Sequence, residues 1–183
     1  METAATNQTT KWAIDPMHSE LQFKVKHLVI STVTGSFQKF EGEFTSEKED
    51  FSDAKINFSA DIDSLTTNNE QRDGHLKSDD FFNAASYPKM TFESTSFSKV
   101  SEGQYKLVGN LTIRDITKEV ELDVEHGGAT KDTYGNYKVG FEVSGTIKRK
   151  AFGLKWDAVT ETGGAVVSND VRILANVQFV KGN

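Results

Sequence analysis

The chain has 183 residues, 36% of them apolar, which is enough for one hydrophobic core and points to one domain. Twenty-seven acidic residues against 21 basic ones leave a net charge of −6, and no basic run offsets it, which argues against broad nucleic-acid or anionic-membrane binding. Cysteine is absent, so disulfides, thiolate metal sites and thiol nucleophiles are excluded, and His18, His27, His75 and His126 carry all the imidazole chemistry.

Residues 1–11 are small, polar and threonine-rich and read as a disordered lead-in to a single domain over 12–183. The start METAATNQTTKW has neither a basic n-region nor an apolar h-region, and no later stretch approaches the roughly 18 apolar residues of a membrane span. The expectation is a cytoplasmic protein without a transmembrane anchor, or a periplasmic one if a leader has been trimmed.

From there a two-residue period dominates. Leu21, Phe23, Val25 and His27 share one face, with Glu20, Gln22, Lys24 and Lys26 on the other. Val33, Gly35 and Phe37 continue the pattern; the phase then slips before Phe40, Gly42 and Phe44, which implies a bulge or turn. Ala54 to Ile62, a short strand at Met90 and Phe92, Tyr105 to Ile113, Val120 to Val124, Val139 to Ile147 and Val171 to Phe179 complete the series. About eight half-buried strands with inward glycines at Gly35, Gly42, Gly109 and Gly145 predict an all-β barrel. The glycines permit sharp coiling or leave room inside the sheet.

Ser64 to Asn83 breaks the alternation. Asn68 or Asn69 is placed to cap a short helix through about Lys77, and Ser78 or Asp79 a second turn that carries Phe81 and Phe82 into the core. This segment reads as a helical lid or plug. Tyr134 to Tyr137 and Glu161 to Gly164 read as turns.

Catalytic signatures are weak. The histidines show no HExxH or short paired ligand spacing, and no metal ligand is assigned. Asp61, Asp63, Glu119, Glu121, Asp123 and Glu125 fall on outward faces, as a solvated exterior requires. No G-x-S-x-G elbow occurs, and the glycines near the end of the chain lack the strand–turn–helix setting of a dinucleotide site. Among thirteen phenylalanines, Phe23, Phe37, Phe44, Phe58, Phe92 and Phe141 point inward together with Val25, Leu107 and Leu111. An eight-stranded barrel interior is either filled by such side chains or holds one small ligand. An apolar tunnel favours a long hydrocarbon, each buried methylene contributing about 0.8 kcal/mol before ordering costs.

Separate ordered blocks carry a resemblance: Trp12 to Ser19 leading into Leu21 to His27, Gly35 to Gly42, Ser64 to Asn69, Arg72 to Leu76, Asp80 to Phe82, Tyr87-Pro88, Gly109 to Asp115 and Arg149 to Leu154. Over residues 12–180 the chain resembles the YceI-like family of polyisoprenoid-binding, lipocalin-like proteins. The resemblance implies an eight-stranded antiparallel barrel whose apolar tunnel holds an isoprenoid lipid with a polyprenyl or quinone-type tail, in a binding, storage or transport role without a catalytic cofactor. Homodimers occur in the family, and many members are periplasmic. Arg72, Asp73 and His75 match the block between strands, and Phe81 and Phe82 the aromatic pair that follows. Arg72 and Asp73 read either as a structural pair that locks the lid or as contacts to a ligand head group. Asp115 stands where relatives usually carry glycine.

Two alternatives stay open beside the lipid carrier. One is an enzyme acting on an isoprenoid or other apolar substrate, with His75 and Asp73 as acid and base. The other is a stress-related barrel acting through protein partners.

Overall fold

The computed structural model describes residues 9–28, 30–157 and 167–182. Among them the alternation becomes eleven strand segments: β1 (Thr10–Ile14), β2 (Glu20–His27), β3 (Ser31–Phe37), β4 (Phe40–Ser46), β5 (Lys55–Asp61), β6 (Leu65–Thr66), β7 (Lys89–Ser101), β8 (Gln104–Ile113), β9 (Ile116–Lys131), β10 (Tyr137–Lys148) and β11 (Val167–Lys181). One helix, α1 (Glu70–Lys77), stands among them.

Three pairs of segments are single spans with a local break. Between β1 and β2 lies a 3₁₀ turn at Pro16–His18, where Pro16 has no N–H to give a ladder and the Asp15 carboxylate accepts from the Met17 N–H at 3.1 Å. Both halves pair with β11, Ile14 opposite Phe179 and Leu21 opposite Ala175. The phase slip falls between β3 and β4, and a second 3₁₀ turn at Ile62–Ser64 separates β5 from β6. Each span is antiparallel to the next, and β11 returns to β1 and β2, which closes an eight-stranded up-and-down barrel.

The boundary at the start differs from the sequence expectation. Thr10 and Lys11 lie in β1, opposite Ser46 and Thr45 of β4, so the barrel begins before Trp12. Residues 1–8 of the expected lead-in and the expected turn at Glu161 to Gly164 lie outside the described residues.

The inward glycines do not leave the lumen empty. Phe23 of β2 lies over Gly35 of β3, and Phe92 of β7 lies over Gly109 of β8; a Cβ at either glycine would overlap the ring. The rings therefore lie along the wall instead of crossing the lumen.

One end of the barrel is closed by an aromatic cluster. Phe44 is 2% exposed and packs on Trp12, Phe51, Phe141 and Phe179 with ring centroids 5.7, 5.5, 6.0 and 4.8 Å away. Such pairs contribute about 0.5–1.5 kcal/mol each beyond area burial. His126 belongs to this cluster. β9 continues to Lys131, and the ring packs on Phe51 and Phe141 beside a bulge at Gly140/Phe141.

The other end is incomplete as a sheet. β6 pairs with β3 only at Ser36 and Phe37, so Ser31 to Gly35 have no strand partner on that side. Helix α1 and the Phe81-Phe82 turn stand over this gap.

Candidate functional site

Helix α1 starts as the sequence indicated. Asn69 is its N-cap, and its side chain accepts from the Arg72 N–H at 3.0 Å. The second turn expected at Ser78 or Asp79 forms, without becoming helix: Ser78 is the C-cap of α1, and its carbonyl accepts from the Phe81 and Asn83 N–H groups, which carries the chain to Phe81 and Phe82.

The helix is tied down through Thr67, which is 4% exposed. The Asp73 carboxylate accepts from the Thr67 N–H at 2.8 Å and from its hydroxyl at 2.5 Å. Arg72 donates from Nε to the Thr67 hydroxyl at 2.7 Å and from Nη2 to its carbonyl at 2.8 Å. Arg72 and Asp73 thus lock the lid through a shared residue. His75 bonds Asp80 at 2.9 Å, with its ring edge-on to Phe81 and Trp156. With Asp73 held by Thr67 and His75 by Asp80, the two do not form the acid–base pair that the enzyme alternative requires.

Under this lid lies an outer chamber of about 650 Å³, within the roughly 300–1,000 Å³ of ligand-binding cavities. Phe23, Val25, Phe37, Arg72, His75, Phe81 and Phe82 line it, as do Leu76, Ile113, Ile147, Trp156 and Val171. Its lining also includes the polar residues Gln22, His27, Asn69, Gln71 and Arg149. No Asp or Glu lines it among the described residues.

Deeper in the barrel is a second chamber of about 130 Å³ with an entirely apolar lining, including Phe44, Phe58, Phe92, Leu107, Leu111 and Phe141. Leu21, Met90 and Ile173 line both chambers and form a waist between them. Of the residues expected at the site, Asp73 alone lines neither chamber; it fixes the lid from outside.

Sequence reasoning did not single out the waist, Trp156 or Arg149. Leu21 and Ile173 lie on inward phases, but nothing in the alternation distinguishes a waist from a wall. Arg149, quoted only within a motif, is 2% exposed and lines the outer chamber. It donates to the carbonyls of Ser168, Leu154, Trp156 and Val167 at 2.8, 2.6, 2.7 and 3.1 Å, and its guanidinium sits 5.9 Å from the Phe81 ring centroid. Burial lowers its pKa against the opposing pull of Asp157, yet arginine stays charged at any working pH. This carbonyl cage joins the end of β10 to the start of β11 under the lid.

Arg114 holds the same region from the β8–β9 turn. It takes a left-handed φ of +56°, pairs with Asp79 at 3.0 Å and donates to the carbonyls of Asp79 and Phe81 at 2.9 and 3.0 Å. The positive φ falls on Arg114 and not on Asp115, which explains why the turn accepts aspartate where glycine is usual.

The chain that folds into this lidded barrel matches the model of the YceI-like domain over residues 12–179. The chain belongs to this family. A UPF0312 protein of Staphylococcus aureus (strain N315) is 39% identical over 171 residues, which cover 93% of this chain and 97% of the relative. The crystal structure of a Campylobacter jejuni YceI protein aligns with a TM-score of 0.72 at 32% identity, covering 86% of this chain and 90% of that one. A polyisoprenoid binding domain from Saccharophagus degradans implicated in plant cell wall breakdown has a TM-score of 0.68 at 14% identity, covering 93% and 98%, and shares the fold.

Proposed function

We propose that this YceI-like chain binds one isoprenoid lipid, with its tail in the two chambers and its head at the polar gap beside α1, and that it stores or carries the lipid without changing it. The carrying observation is the lumen: about 650 Å³ under a lid, continued past a waist by about 130 Å³ with an all-apolar lining. The family membership and the polyisoprenoid-binding neighbour support the same reading.

Size narrows the cargo. If each carbon takes about the 30 Å³ share of a water molecule, the outer chamber holds about 20 carbons, or about four isoprene units, and the inner one about one unit more. The lining favours a neutral or anionic head, such as a quinone ring or a prenyl phosphate, because it contains arginine and amides and no carboxylate.

Native mass spectrometry of freshly purified protein, followed by solvent extraction, tests this. The expected result is one bound prenyl lipid of about C20–C25 per chain, and the same spectrum reports the homodimer that the resemblance implies. Protein with no bound mass and no uptake of geranylgeranyl or geranylfarnesyl compounds overturns the reading.

A further inference from the structure

The β2–β3 hairpin ends in a turn that carries apolar side chains into solvent. Ile30 is 86% exposed and Leu28 is 42% exposed. Leu28 also takes a left-handed φ of +55°, a conformation that glycine or asparagine adopts at less cost. Strain at Leu28 and apolar exposure at Leu28 and Ile30 coincide here, a combination found at functional segments.

The turn adjoins the entrance to the outer chamber. His27 and Val25 on β2 and Val33 on β3 line that chamber, and the β3 edge beside them is the unpaired one.

Behind the turn the outer face of the sheet is cationic. Lys24 of β2 sits directly opposite Arg172 of β11, a like-charge cross-strand pair that is destabilising on its own. Lys26 lies next along β2. None of the three meets a carboxylate within ion-pair distance among the described residues, whereas nearby Lys148 and Lys150 pair with Asp170 and Asp157. At about 3.3 Å per residue, Lys26 stands about 7 Å and Lys24 about 13 Å behind Leu28 along the strand. That spacing suits a polar interface several ångströms deep, with a Debye length of about 8 Å beyond it. The sequence showed no basic patch because β2 and β11 lie at opposite ends of the chain.

We propose that this hairpin docks the protein on an anionic lipid bilayer, with Leu28 and Ile30 entering the interface and Lys24, Lys26 and Arg172 meeting the anionic head groups, so that the chamber entrance faces the membrane. The choice of a bilayer as partner rests on the lipid-binding reading. The contacts themselves are those of an amphipathic interfacial anchor, weak and salt-sensitive.

Vesicle flotation tests it, with phosphatidylcholine alone and with phosphatidylcholine plus phosphatidylglycerol, at low and high salt. The wild-type chain is expected to float with the anionic vesicles at low salt and to be released by high salt. Each neutralised cation lowers binding about fivefold, so Lys24→Gln, Lys26→Gln and Arg172→Gln together lower it about a hundredfold. Ile30→Asp abolishes flotation. Neither variant lowers the thermal midpoint, since the neutralised one relieves a like-charge pair, and both still take up geranylgeranyl lipid from detergent micelles. Equal flotation with neutral vesicles, or flotation unmoved by both variants, overturns the proposal. So does a dimer in solution that Ile30→Asp dissociates while the wild type fails to float, because the turn then serves a second copy. Flotation without uptake from micelles leaves docking intact and overturns the cargo; uptake without flotation does the reverse.

Discussion

The carboxylate of Asp73 receives both the backbone N–H and the hydroxyl of Thr67, and that hydroxyl in turn receives the Nε–H of Arg72. These bonds join the first residues after β6 to the middle of α1. Asp73 holds the lid from outside the lumen, whereas Arg72, held by the same Thr67, also lines the outer chamber.

Asp73→Ala leaves the buried Thr67 N–H without its acceptor, and the expected cost is about 1–3 kcal/mol in urea unfolding. Thr67→Val combined with it costs less than the sum of the two single changes, since both break one network. Additive losses would show that Asp73 acts elsewhere.

Under the proposed lipid-binding reading, the waist sets how far a tail reaches. Ala175→Leu fills part of the inner chamber and is expected to shift the extracted lipids toward shorter tails, whereas Met90→Ala widens the passage and shifts them toward longer ones. Lipid extracts from the three proteins, compared by mass, check this. An identical tail distribution in all of them would mean that the inner chamber is not used.

His126 carries a pH prediction. Its Nε2 is buried without a hydrogen-bond partner, and burial depresses its pKa below the ordinary 6.5, with only Glu102 pulling the other way. Between the depressed value and 6.5 the unfolded chain binds the proton more readily, so stability is lost as pH falls through that window and is unaffected above it. His126→Phe keeps the ring contacts to Phe51 and Phe141 and is expected to flatten the decline in thermal midpoint between about pH 7.5 and about pH 5.5. An unchanged decline would assign it to another group.

The covered glycines differ in what surrounds them. A Cβ at Gly109 meets the Phe92 ring and also the Glu93 carbonyl at 2.6 Å, which the sheet holds in place, so Gly109→Ala is expected to cost about 1–3 kcal/mol. At Gly35 the three nearest atoms all belong to the Phe23 ring, which has the outer chamber to swing into. Gly35→Ala is therefore expected to cost less stability but to shorten the accepted tail. Calorimetry and lipid extraction together separate the two effects.

The spans were legible in the sequence because a half-buried strand writes its wall into every second residue, as from Leu21 to His27 or Tyr105 to Ile113. The cap at Asn69 was legible for the same local reason. The waist was not, because Leu21, Met90 and Ile173 meet only across the lumen. Trp156 follows a 3₁₀ turn and belongs to no periodic pattern. Arg149 was legible only as part of a motif, because its burial follows from carbonyls that come together in the fold. Asp73 was legible as part of a motif, but its position outside the chambers follows from Thr67.

The ring is closed by its own two ends, Ala13 and Ile14 pairing with Val180 and Phe179. Every other seam joins spans that are neighbours along the chain, so this one brings together the most distant contacts and is the slowest part to assemble. Until it forms, the edges of β1, β2 and β11 lie open, a template for pairing between molecules. Loss of the few residues from Thr10 to Ile14 would leave β4 and the last residues of β11 without their partner and turn a self-contained barrel into one with a permanently open, aggregation-prone edge.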